Sequence, residues 1–193
     1  KIKKRAGDYA DAELEQAVDK PKLVGDIVAN WRNIAPGRQT AVFAVSVAHA
    51  EHICNAFSAS GISAAVISGD TPLIERDRII ADWKGGRITV VVNCLVFIEG
   101  FDYRELECVV LARPTQSLMI YLQSVGRVMR SAPGKRDAVV LDHAGCILRH
   151  GPPWQDREWS LEGMQGDAEE AGKSMVACPS CRLIYPSEPK FFI

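Results

Sequence analysis

Thr40-Ala41-Val42-Phe43-Ala44-Val45-Ser46-Val47 reads as a buried strand that delivers a serine to the start of a helix. Residues 40–45 are apolar or β-branched without alternation. Such a strand must be covered on both faces, which is the habit of parallel sheets. The same kind of run returns at 63–67, 88–92, 108–111 and 138–141, with helical patterns at 48–58, 73–83 and 117–128 between them. This alternation predicts an α/β domain, a parallel sheet sandwiched by helices. Ligands of such sheets collect beyond the carboxyl ends of the strands. The residues after each run therefore matter most. They are Ser46, Ser68-Gly69-Asp70, Asn93 (with Glu99-Gly100-Phe101-Asp102 soon after), Arg113-Pro114-Thr115 and Asp142-His143. Ordinary turn chemistry accounts for part of their small, polar character.

Upstream, residues 1–38 read as a helical lead-in. Asp11 suits the N-cap of a helix over 12–18, and Pro21 can open a second helix through Trp31. Leu23, Ile27, Val28 and Trp31 are spaced as its apolar stripe, and Pro36-Gly37 ends it. Beyond residue 150 the pattern dissolves into Pro152-Pro153, Trp154, Trp159 and an acidic stretch at 167–170. The expected divisions are thus a lead-in over 1–38, an α/β lobe over 39–150 and an extension over 151–193.

A net charge of −1 over 193 residues excludes a global basic field, so any nucleic-acid contact must be local. The basic run Lys1-Ile2-Lys3-Lys4-Arg5 reads as a solvated end. Hydrophobic content of 47% supports a proper core. Four of the six cysteines, Cys54, Cys94, Cys108 and Cys146, fall singly in apolar segments. That pattern suits reduced thiols in a cytoplasmic protein better than a disulfide framework. No run of 18 apolar residues occurs, so no membrane span is expected. The chain opens without Met inside a charge cluster and reads as a piece of a longer protein.

Gln123-Ser124-Val125-Gly126-Arg127-Val128-Met129-Arg130 carries the most chemistry. On a helix, Gln123, Arg127 and Arg130 stand at i, i+4 and i+7 and project from one face. Two guanidiniums one turn apart suit a polyphosphate, because Arg is planar, always charged and binds phosphate bidentately. Gly126 suits a place where a Cβ would hinder approach by a ligand or another backbone. The bland alternative is an amphipathic helix with two solvated arginines.

In order along the chain, these motifs resemble the second RecA-like lobe of superfamily-two helicases and translocases, a P-loop NTPase fold. Residues 40–46 resemble the strand-and-serine motif that opens that lobe. Ser68-Gly69-Asp70 through Arg76, with Trp83-Lys84-Gly85-Gly86, resembles the Gly-Asp…Glu-Arg…Phe-x-x-Gly segment, Trp83 standing in the aromatic place. Residues 93–102 resemble the Thr-x-Gly-x-Asp motif, and 123–130 the Gln-x-x-Gly-Arg-x-x-Arg motif. Val139-Val140-Leu141-Asp142-His143-Ala144-Gly145, followed by a Cys-x-x-Cys, is similar to RadD-like DEAD/DEAH-type helicases of bacterial DNA repair and their phage relatives.

The resemblance implies roles. Arg127 and Arg130 would face the phosphates of ATP, bound with Mg²⁺ by a first lobe of the same protein. Gln123 would orient that face or touch nucleotide or water. Glu99, Gly100 and Asp102 would approach the nucleotide from a neighbouring loop. The opposite edge would hold one strand of DNA, RNA not being excluded. Ser46 and Val47 would act there through a helix N-terminus, and Gly69 and Asn93 through adjoining strand ends. Phosphate contacts of this kind do not read sequence. The intact protein would be a monomeric ATP-dependent DNA helicase, and this chain alone would hydrolyse nothing, having neither a P-loop nor an Asp-Glu box. The alternatives are the motor of a restriction endonuclease, or a binding module that docks DNA or a partner. One departure stands out: Ile98 occupies the place of the motif's Thr, so a hydroxyl contact to the strand is lost, and neither Thr115 nor Ser124 is an obvious substitute.

Other patterns carry less. Gly166 through Gly172-Lys173-Ser174 has one residue too many for a P-loop, and no strand precedes it. Asp142 is expected to end the last strand rather than bind magnesium. His49 and His52 share a helix face and are expected at the surface. Cys178-Pro179-Ser180-Cys181 has the form of half a structural zinc ribbon. Its second pair is absent here, so Zn²⁺ on Cys178 and Cys181 is expected only in the intact protein, unless Cys146 and a histidine complete the site.

Overall fold

The computed structural model describes residues 4–5, 8–9, 11–94, 103–157, 175–177 and 184–186. The chain divides into two units, 1–144 and 145–193.

The first unit opens with a short antiparallel pair, β1 (Lys4–Arg5) and β2 (Asp8–Tyr9), then α1 (Asp11–Val18) and α2 (Pro21–Ile34). The alternation follows: β3 (Thr40–Phe43), α3 (Val47–Ala59), β4 (Ala64–Ile67), α4 (Leu73–Lys84), β5 (Val90–Asn93), β6 (Cys108–Leu111), α5 (Leu118–Val128) and β7 (Val139–Asp142). The five long strands form one sheet in the order β4-β5-β3-β6-β7, and every pair in it is parallel.

Right-handed crossovers fix which face each helix covers. The step from β3 to β4 runs one way across the sheet; those from β4 to β5 and from β6 to β7 run the other way. α3 therefore lies on one face and α4 and α5 on the opposite one. The core on the α3 side agrees. Val66, Val92, Val42, Val110 and Leu141 are register partners across the five strands, and all lie in or against a cluster that includes Val28 and Trp31 of α2 and Ile53 and Phe57 of α3. Buried Trp31 donates from Nε1 to Thr40 Oγ1 at 2.7 Å and meets Phe57 edge-on, tying α2 to both β3 and α3. The buried stripe of α2 is Val24, Ile27, Val28 and Trp31; Leu23, expected in it, is 42% exposed. Val24 is one residue further round the turn and so faces the core in its place. The helix expected over 12–18 begins at Asp11, which is its first residue rather than a cap outside it.

The second unit contains α6 (Cys146–His150) and an antiparallel pair, β8 (Met175–Ala177) with β9 (Ile184–Pro186). Among the described residues no helix is long and apolar enough to cross a membrane. None of Cys54, Cys94, Cys108 and Cys146 takes part in a disulfide.

Candidate nucleotide and nucleic-acid edges

Because the strands are parallel, their carboxyl ends share one edge of the sheet and their amino ends the other. Read across the carboxyl edge, the order is Gly69 after β4, Asn93 at the end of β5, and Ser46 with Val47 after β3. The four positions expected to contact a strand of nucleic acid thus stand along one edge of the sheet.

Ser46 caps α3, its Oγ accepting from His49 N at 3.1 Å, and Val47 opens the helix at 39% exposure. Gly69 is exposed, and a Cβ built on it would meet nothing within 4 Å. Its turn is braced from below: Arg76 donates from Nη2 to Ser68 O at 3.1 Å, and Ser68 N donates to Thr71 Oγ1 at 2.9 Å. The Gly-Asp…Glu-Arg spacing therefore serves the turn, since Arg76 reaches back from α4 to hold it.

Asn93 departs from expectation. It is fully buried, and its Nδ2 donates to Val42 O at 2.8 Å. The side chain joins β5 to β3 inside the fold, so its amide is not presented to a strand at the edge. His49 departs as well, being 1% exposed rather than at the surface. Its Nδ1 accepts from Val45 N at 3.4 Å, and burial holds its pKa below the ordinary 6.5. Only His52 is a surface histidine of the kind expected, paired with Asp19 at 2.8 Å. Asp142 ends β7 as expected, with Oδ1 accepting from Ala144 N at 3.0 Å.

α5 leaves the carboxyl edge after β6 and runs back to the amino edge before β7. Ser117 caps it, accepting from Ile120 N, and Thr115 Oγ1 accepts from Ser117 N at 3.0 Å. Ser124 Oγ bonds Ile120 O at 2.8 Å within the helix. Both hydroxyls take part in shaping α5. Gln123 and Arg127 are half-buried on the helix. Arg130 lies past its end, exposed, because α5 stops at Val128 with Met129 as C-cap. The three side chains therefore do not share one continuous helix, although Gln123 and Arg127 keep their one-turn spacing. Gly126 is exposed, with open space where a Cβ would stand. Among the described residues nothing presses on it.

A polyphosphate needs donors that stay charged, and Arg127 and Arg130 at the end of α5 have that chemistry. Lys135 reaches the same end of the helix: its Nζ donates to the carbonyls of Val128, Arg130 and Arg104. Sequence reasoning passed over this lysine, for which Pro-Gly-Lys-Arg at 133–136 gives only a faint signal. Glu99, Gly100 and Asp102 lie outside the described residues. Tyr103, the next described residue, packs on buried Trp83 at 5.1 Å between ring centres. Trp83 is thus a core residue, donating from Nε1 to Thr89 O at 3.2 Å. Cys178 and Cys181 also lie outside the described residues, and among the described residues no three His, Cys, Asp or Glu side chains gather as a metal site.

The comparisons accord with this geometry. Residues 19–132 match the helicase conserved C-terminal domain. A 51.5 kDa protein of Lactococcus phage (isolate 7-9) is 30% identical over 98% of this chain and 42% of its own length. Irc3 of Schizosaccharomyces pombe, provisionally named a mitochondrial ATP-dependent helicase, is 35% identical over 75% of this chain and 24% of its own length. The chain thus spans less than half the length of these relatives. Among solved structures, the C-terminal domain of the DEAD-box protein Dbp5 superposes with a TM-score of 0.56 at 18% identity, over 68% of this chain and 77% of that domain. This likeness bears out the RecA-like parallel sheet.

Proposed function

This chain belongs to the helicase conserved C-terminal domain family, and from that premise we propose that it is the second motor lobe of an ATP-dependent nucleic-acid helicase or translocase. A first lobe elsewhere in the same protein would bring ATP with Mg²⁺. ATP, when bound, supplies the γ-phosphoryl group that passes to water. Arg127 and Arg130 offset the charge that develops there, and Gln123 orients that face. Glu99, Gly100 and Asp102 approach the nucleotide from the sequence just before Tyr103. Ser46, Val47 and Gly69 hold phosphates of one DNA strand, with RNA the other candidate track. The role of Asn93 is to keep β5 and β3, and so the edge, in register.

The observation that carries this reading is the separation of the two groups on one rigid sheet. The arginine-bearing end of α5 lies towards the amino edge, and Gly69, Ser46 and Val47 lie on the carboxyl edge. A lobe built this way moves its strand grip and its arginines together, which is how closure on ATP can displace a strand. DNA repair as the setting, and the cytoplasm as the place, rest on the resemblance to RadD-like helicases and on cysteines that fall singly in apolar segments of the sequence. A zinc site on Cys178 and Cys181 would need two further ligands, from a second pair outside this sequence or from Cys146 and a histidine.

The test is ATP turnover by this chain and by the full-length protein, each with and without single-stranded DNA or RNA, beside Arg127→Ala. Silence from this chain is expected. The full-length protein should show strand-stimulated turnover that Arg127→Ala lowers by about 10³-fold or more. Turnover by the isolated chain would show a complete site within it. A full-length protein that binds strands but never hydrolyses ATP would make this lobe a binding module.

A further inference from the structure

The end of α5 is held by a side chain that none of the motifs includes. Lys135 Nζ donates to Arg130 O at 2.8 Å, to Arg104 O at 3.3 Å and to Val128 O. Val128 is the last residue of α5, so its carbonyl is among those a helix end leaves without intrahelical partners. A cation there also meets the negative end of the helix dipole. Arg130 is the outer arginine, and Arg104 stands two residues beyond Asp102. All three donors of one ammonium are thus directed at main-chain carbonyls. One of those carbonyls, that of Val128, lies between the two arginines in sequence, the second is Arg130's own, and the third belongs to the turn at 103–106. A tight turn delivers the lysine: Lys135 N donates to Ala132 O at 3.2 Å, and Gly134 adopts φ +80°.

We propose that Lys135 is a positioning residue for the nucleotide site, fixing the backbone of Arg130 and the end of α5 against the 103–107 turn. Lobe closure then meets guanidiniums already set in place. This rests on the reading of Arg127 and Arg130 as the groups that meet ATP. The need is physical. Arg130 lies outside the helix, so α5 alone cannot fix its main chain, and a long side chain on a loose backbone is a poor electrostatic stabiliser. A lysine suits the task because its three donors diverge, whereas the planar guanidinium fork matches paired acceptors in one plane.

The experiment uses the full-length protein and strand-stimulated ATP turnover, at a temperature where unfolding curves show every variant folded. Lys135→Met keeps the stem and removes the donors. It is expected to lower kcat about 10–100-fold with little change in KM for ATP, the signature of misplacement rather than lost binding. On an Arg130→Ala background the same substitution should add little, because the residue through which it acts is gone. Lys135→Gln, which keeps two donors on a shorter stem, should fall between, and it carries the comparison should Lys135→Met fail to fold. An unchanged kcat in both variants, or a full multiplicative loss on the Arg130→Ala background, overturns the proposal. Arg127→Ala in the same assay separates the two levels. If it abolishes turnover while Lys135 variants are normal, only the lysine's role falls; if it is harmless, the arginine reading falls with it.

Discussion

Asn93 Nδ2 donates to Val42 O at 2.8 Å in the buried heart of the sheet, so a residue at the strand edge serves as a cross-tie between β5 and β3. Position along a strand does not by itself tell whether a side chain faces a ligand or the interior. Asn93 is the last residue of β5 and still has neighbours on both sides, Phe43 and Ile67. Its amide finds a carbonyl before it finds solvent.

The first prediction follows from that bond. Asn93→Ala should lower the unfolding free energy by about 1–3 kcal/mol, through a lost buried hydrogen bond and the space it leaves. The affinity of the folded full-length protein for a labelled single strand should be unchanged. Urea titration and fluorescence anisotropy give the two numbers. A stable variant with weakened strand binding would return Asn93 to the interface.

Gly69 makes the opposite case. Its Cβ position is open and its backbone lies outside the left-handed region, so Gly69→Ala meets no internal obstacle. Stability should hold or rise by about 0.4–1 kcal/mol through the less flexible unfolded chain. If a strand's backbone approaches the turn closely, the added methyl should weaken binding several-fold in the full-length protein. Unchanged anisotropy curves would remove Gly69 from the strand grip.

Stability should also fall on the acid side, with a histidine signature. Burial is the main cause that lowers the pKa of both His49 and His143 below 6.5, against the pull of Asp19 and Glu15 on the first and of Asp142 and Asp26 on the second; His52 adds to the lowering at His49. Below 6.5 the unfolded chain binds protons that the folded chain refuses, so stability rises with pH in that window and is lost as pH falls through the depressed values. Above it these groups contribute no slope. Glu75 and Asp137, held below 4.5 and 3.8 by Arg78 and Arg38, act only at more acid pH. Urea midpoints between pH 5 and 8 should therefore slope below pH 6.5 and level off above it. His49→Gln should flatten part of the slope; an unaltered slope would assign the loss elsewhere.

The sheet was legible because burial on both faces leaves an unbroken apolar run, and five such runs with helices between them allow few topologies. The bounds moved by one or two residues where strand ends are set by register. Ser63, for example, precedes β4 because pairing starts at Ala64 with Val90. What composition could not give is side-chain direction at element ends. His49 looks like a surface residue by type, yet its place in the first turn of α3 turns it inward. Arg130 fits helical spacing, yet α5 ends at Val128. Lys135 was invisible because its partners are carbonyls, which have no sequence signature.

Gly126 separates stability from function most cleanly. It lies within α5, exposed, with nothing within 4 Å of a built Cβ. Glycine inside a helix costs about 0.5–1 kcal/mol relative to alanine, so Gly126→Ala should stabilise the isolated lobe by that amount in urea titration. Among the described residues nothing gives the face beside Arg127 a reason to lack a side chain. If the first lobe and its nucleotide close against it, the methyl group should obstruct closure, and strand-stimulated ATP turnover of the full-length protein should fall although the lobe itself has become more stable. A stabilised lobe whose full-length parent keeps normal turnover would mean that this face of α5 stays open through the cycle, and that Arg127 reaches its partner across solvent.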